Sequence, residues 1–286
     1  MWCRINFIFG AAMNIFKFRF MGCCLVAACL APVVVYADTY TINDYSTDPN
    51  TYFGGTITSA ATGNSYPDMN PYDTVGNDPK YDVDTLKVTQ NGSSFSASLT
   101  GQYFTEVNLT EIIGDLFLSN NGWNPYSTGP TDTNHRYDTA SNGETWEYVL
   151  KILDGPVTPG SSVTSGQIGL YAVTSTGQIV TSDKLPQTGI YRADQEVQYD
   201  PNGEDYLALG GWELDPTNGT FTFTLDGIDL AAMYGINLQD GIGLHWTMSC
   251  GNDVVEGLAK TPEPATMLLF GAGLSGLVAY RRRAKK

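Results

Sequence analysis

The sequence predicts an all-β protein, a single antiparallel β-sandwich of jelly-roll type, flanked by two segments that lie outside the fold. Residues 38–260 contain many short apolar runs with alternating spacing, separated by Gly, Asn, Asp and Pro. Helix signals are scarce over the same range. The long apolar runs sit at the two ends instead, each beside cations, which is the pattern of targeting segments rather than of a core.

The elements follow from side-chain period. A first strand is expected at Tyr52–Ile57. In "DTLKVTQNGSSFSASLT", Leu86 and Val88 alternate on one arm and Phe95, Ala97 and Leu99 on the other. Asn91-Gly92 between them suits a two-residue type I′ turn. Asp115–Leu118 and Thr145–Leu153 read as strands. "GQIGLYAV" and "QIVTSD" flank Ser175-Thr176-Gly177 and read as a second hairpin. "TFTFTL" turns Phe221, Phe223 and Leu225 to one face, and Gly241–Met248 is a further strand. Asp229 to Tyr234 suits a short helix capped by Asp226 or Asp229. Residues 118–142 lack periodicity and read as one long surface loop.

At the N-terminal end, Lys17 and Arg19 precede an apolar run from Met21 to Val35, and Val35-Tyr36-Ala37 reads as a signal-peptidase site. Residues 1–37 are therefore a signal peptide, with Met13 an alternative start. A lipid-modified Cys29 is the weaker alternative, because the apolar run continues past it. The other end contains "GAGLSG", a G-x-G-x-x-G run. A dinucleotide site needs a following strand and an acidic ribose ligand about 20 residues on, and no acidic residue follows Gly276. Residues 265–280 are uncharged, long enough for roughly 24 Å of helix. The small residues Gly271, Gly273 and Gly276 lie within that run. Arg281, Arg282, Arg283, Lys285 and Lys286 close it as a basic stop that stays cytoplasmic.

Pro262-Glu263-Pro264, the apolar helix and the Arg-rich end together resemble the PEP-CTERM sorting signal, here residues 261–286. The resemblance implies export by the secretion machinery in a Gram-negative-type bacterium and transient anchoring by the C-terminal helix. Processing near residues 262–264 by an exosortase would follow, with delivery to the cell surface or extracellular matrix.

Without the two ends, the body at 38–260 carries 29 acidic against seven basic side chains, a net of −22. Such a charge excludes nucleic acid and anionic membrane as expected partners. Cys250 is the one cysteine of the body, so no internal disulfide is expected.

Candidate chemistry is sparse. His245 and Cys250 are five apart, an odd separation that puts them on opposite faces of a strand. Two His and one Cys without paired spacing do not suit zinc. No cofactor is expected, although calcium would suit acidic turns, with Asp78, Asp82 and Asp84 in one and Asp200, Asn202, Glu204 and Asp205 in another. Glu144 with Glu147, or Asp194 with Glu196, are the carboxylate pairs a glycoside hydrolase would need. Trp123 and Trp212 sit beside Gly and near Pro, as expected of a stacking platform for extracellular polysaccharide, whereas Trp146 and Trp246 read as core. The leading expectation is a non-catalytic structural or interaction component. A carbohydrate-binding module is the alternative, and a secreted hydrolase the least favoured.

Overall fold

A computed structural model describes residues 37–44, 56–67, 74–75, 78–127, 129, 135, 137–143, 145–261 and 273. The chain divides into two compact units, Met1–Tyr36 and Ala37–Lys286, and every described residue belongs to the second. Its strands are β1 (Asp38–Asn43), β2 (Thr56–Ser59), β3 (Ser65–Pro67), β4 (Thr85–Asn91), β5 (Ser94–Thr100), β6 (Leu116–Ser119), β7 (Tyr148–Ile152) and β8 (Ser165–Ala172). They continue as β9 (Ile179–Thr181), β10 (Ile190–Ala193), β11 (Glu196–Tyr199), β12 (Ala208–Asp215), β13 (Thr220–Asp226), β14 (Ile242–Thr247) and β15 (Val254–Ala259).

The all-β antiparallel prediction holds, but the sandwich does not. Ten strands form one continuous antiparallel sheet in the order β1-β4-β5-β13-β12-β8-β7-β6-β14-β15. Its outermost strands, β1 and β15, come to lie beside each other, so the sheet nearly closes into a barrel. Alternation in a sequence shows which face of a strand is apolar. It cannot show whether facing strands belong to two sheets or to one that curls on itself. Curling brings the two edges together and leaves neither as a long open template for another chain.

The barrel interior is filled as the alternation requires. Leu86 and Val88, Phe95, Ala97 and Leu99, and Phe221, Phe223 and Leu225 are all buried and share one core with Ile168, Leu170, Leu244 and Trp246. Burying each such side chain contributes roughly 1.5–3 kcal/mol. The β4–β5 register pairs Asn91 with Ser94, so Gly92 and Ser93 make the turn, one residue later than expected. Gly92 has φ 55° and Ser93 is not positive, the pattern of a type II′ rather than a I′ turn. The short helix α1 (Leu230–Tyr234) forms where expected. Asp229 caps it by accepting from the Ala232 amide at 3.0 Å, and Gly235 ends it at φ 69°.

The second hairpin is not formed. Ser175 caps a 3-10 turn through the Gly177 amide, and the chain leaves β8. β9 then pairs with β11 instead, as a separate two-stranded sheet. A second, smaller core forms from Phe117, Trp146, Val149 and Tyr171 on β6–β8 and the segment before β7, joined by Ile179 and Tyr199 of β9 and β11. One part of the barrel wall therefore has apolar packing on its outside as well as its inside. β10, β2 and β3 make a further small sheet, and the Arg192 amide ties β10 to the Cys250 carbonyl at 3.0 Å.

Candidate functional site

The polar centre of the molecule lies on the outer side of β14, where the two-stranded layer meets the barrel. Ile242, Leu244 and Trp246 point into the barrel, which leaves His245 facing outward, fully buried. Across the β14–β15 ladder His245 stands directly opposite Glu256. Its Nδ1 is 2.6 Å from Glu256 Oε2, and its Nε2 is 2.9 Å from the backbone carbonyl of Glu196 on β11. The Glu196 carboxylate lies 3.6 Å from the same Nε2. Two indoles complete the network. Trp146 Nε1 donates to Glu196 Oε1 at 2.9 Å, and Trp123 Nε1 donates to Glu256 Oε1 at 2.8 Å.

The donor inventory fixes what this network does. A carbonyl oxygen only accepts, so the imidazole must carry a hydrogen on Nε2. A further hydrogen between Nδ1 and Glu256 Oε2 completes the bond across the ladder. Each carboxylate has its indole donor, and His245 links β14, β15 and β11. Phe117 and Trp146 pack around the ring at 6.1 and 5.7 Å. This is a satisfied buried polar network that fixes the outer layer in register.

The predicted site residues are dispersed. Trp212 is on β12, only 3% exposed, stacked 5.4 Å from Phe221 and donating to Asp154 at 3.0 Å, so it has no free face for a sugar. The Gly210-Gly211 pair before it reads as a turn but lies within the strand. Trp123 is half-buried, its ring edge-on to His135 at 5.5 Å. The two are not a joint platform. Trp146 and Trp246 are buried as expected.

Asp78 caps a 3-10 turn and pairs with the Lys80 ammonium at 2.9 Å. Among the described residues no group of three or more His, Cys, Asp or Glu side chains could hold a metal ion, so Asp78, Asp82 and Asp84 do not form a calcium cage. In the other acidic turn Glu204 accepts from Thr174 and Tyr199 hydroxyls at 2.8 and 3.0 Å. These bonds, Thr174 first, hold its carboxyl below the ordinary value. The Tyr199 hydroxyl is pushed up to about 12, by burial first and then by Glu204.

Of the carboxylate pairs, Glu144 lies outside the described residues, and Glu147 binds the Asn120 amide and the Asn121 side chain. Asp194 and Glu196 do not share a face. Asp194 has φ 57°, which breaks the alternation before β11 begins, so it is exposed while Glu196 is buried. Burial and a hydrogen bond with nearby Asp183 raise the Asp194 carboxyl. It stands at a cleft of about 420 Å³ lined also by Trp146, Thr174, Thr176, Thr181 and Lys184. His245 and Cys250 lie on opposite sides, Cys250 in the barrel core with its thiol pushed up to about 12 by burial.

The sequence reading missed the pairing of His245 with Glu256. A signal was present: a lone Glu in the apolar run "VVEGLA", placed opposite His245 once the intervening "MSCGND" is taken as a turn. Pro262, Glu263, Pro264, Gly271, Gly276 and Arg281–Arg283 lie outside the described residues, as does most of the expected membrane segment. Among the described residues no helix is long and apolar enough to cross a membrane.

A nearly closed antiparallel body of this kind defines no activity by its architecture alone. The address comes from its end: residues 260–283 match the PEP-CTERM protein-sorting motif, which implies an exported protein processed by an exosortase and sorted to the cell surface. No curated protein and no solved structure matches the chain.

Proposed function

We propose that the barrel is the delivered cargo of its sorting motif and serves at the cell surface or in the extracellular polysaccharide matrix as a non-catalytic structural or interaction component. The observation that carries this is the junction. The matched motif begins at residue 260, directly on the end of β15, which supports the folded body as the part that is delivered. The His–carboxylate group at 245, 196 and 256 is buried and occupied by indole and backbone partners, which favours a structural role for it. Fractionation of cells making the full chain or a chain truncated before residue 262 tests the reading. Loss of surface delivery and of the processed form on truncation is expected, and unchanged size and location would reject it.

A second reading, carbohydrate binding, is favoured by the cleft at Asp194. Hydroxyls of Thr174, Thr176 and Thr181 beside an indole and the Asp194 carboxyl suit a neutral polyol. Binding on a glycan array that drops at least tenfold in Asp194→Ala supports it. No binding to any envelope glycan rejects it.

A further inference from the structure

Both ends of the barrel leave from one rim, and a single loop holds them there. The Leu238 carbonyl, in a residue with no exposed surface, accepts from the Thr261 amide at 3.0 Å and from the Thr261 hydroxyl at 3.4 Å. Thr261 itself is only 7% exposed. The loop is in turn fixed by Gln90, whose Oε1 accepts from the Leu238 amide at 2.9 Å and whose Nε2 donates to the Ile236 carbonyl at 2.8 Å. Next along the loop, Gln239 donates to Asp38, the first residue of β1, at 3.1 Å.

The matched motif starts at residue 260, so its first two residues belong to the fold rather than to a linker. Pro262 follows the held Thr261 directly. From Thr261 to Pro264 the chain spans at most about 11 Å, less than the radius of a typical 100-residue domain at about 13 Å. An enzyme that encloses Pro262-Glu263-Pro264 must therefore touch this rim. Enzymes that act on a peptide bond take the chain extended, and residues locked in a fold become available only through local opening.

Resting on the sorting reading, we propose that the Leu238–Thr261 latch must open before the processing enzyme can act at residues 262–264. The closing step of processing is then limited by the population of the open latch.

Pulse–chase of the full chain, in cells that make the processing enzyme, tests this. Eight Gly/Ser residues inserted between Thr261 and Pro262 leave the latch intact but move the motif clear of it, and the conversion rate should rise at least threefold. Gln90→Ala, which loosens the loop, should accelerate the native-length chain and add nothing to the spacer chain. Equal rates for native-length and spacer chains overturn the proposal, as does an equal acceleration of both by Gln90→Ala. If neither chain is converted, the sorting reading fails and the latch proposal falls with it; conversion of both at one rate rejects the latch alone.

Discussion

Strands β4, β5 and β13 have one buried face, whereas β6 and β14 have two. In β4, β5 and β13 buried apolar residues alternate with exposed or half-exposed Thr, Ser and Lys. Their outer face is a hydroxyl lattice, with Ser98 bonded to Thr222 at 2.9 Å and Thr39 to Thr89 at 3.2 Å. In β6 and β14 every residue is buried, because the β9–β11 layer covers the outside of the wall. The first region is held mainly by apolar packing, with Gln90 its one buried polar side chain. The second adds a polar network, whose removal costs more than its formation gains.

Truncating the barrel core should have the largest effect and should not discriminate between the regions. Phe223→Ala is expected to cost about 3–5 kcal/mol, seen as a lower urea midpoint with all amides losing protection together. His245→Ala leaves the buried Glu256 carboxyl without its imidazole hydrogen-bond partner, at about 3 kcal/mol. Its effect should be uneven, with exchange at Val197 and Tyr199 on β11 accelerating far more than at Ala97 and Leu99 on β5. Uniform acceleration would show that the layer and the barrel are one cooperative unit.

A pH profile separates the regions next. Asp115 accepts from the amides of Ile152 and Tyr199, both at 2.8 Å, and so bridges barrel and layer. Burial dominates and raises its carboxyl above the ordinary value, against the pull of Lys151 and the two amides. A group with a raised native pKa supports the fold fully below its unfolded value of about 3.9. That support declines as pH rises through the window up to the native value and is then gone. Glu204 has the opposite sign, its support being present above the unfolded value and lost as pH falls through the lowered native one. Urea midpoints of Asp115→Asn and the unaltered chain, from about pH 3.5 to about pH 6, should therefore not run parallel. The unaltered chain should lose ground relative to the variant as pH rises.

The smallest effect belongs to the hydroxyl lattice. Ser98→Ala with Thr222→Val should shift stability by no more than about 0.5 kcal/mol. A larger loss would mean that the outer face of β5 and β13 is more than a solvated surface.

The same division explains what the sequence made legible. One-sided strands declare themselves, and the alternation at Leu86–Leu99 and Thr220–Leu225 placed three strands and their core residues. The cap at Asp229 was equally local. The two-sided region has no period to read: "IGLHWT" is buried throughout, so neither its inward nor its outward face stands out. The β9–β11 pairing joins segments that a nearer hairpin signal claimed, and sheet closure depends on strand order, which no local pattern records. For the site, strand parity separated His245 from Cys250, but Glu256 and Glu196 come to His245 only through a ladder and a second layer.

The placement of Cys250 has a consequence for the lifetime of the molecule outside the cell. Burial pushes its thiol up to about 12, so little thiolate forms at neutral pH, and the residue is 4% exposed. Oxidants and disulfide exchange act on the thiolate. The body can thus persist among neighbours in an oxidising compartment without becoming covalently joined to them, and any cross-linking between copies would first report that the fold has opened.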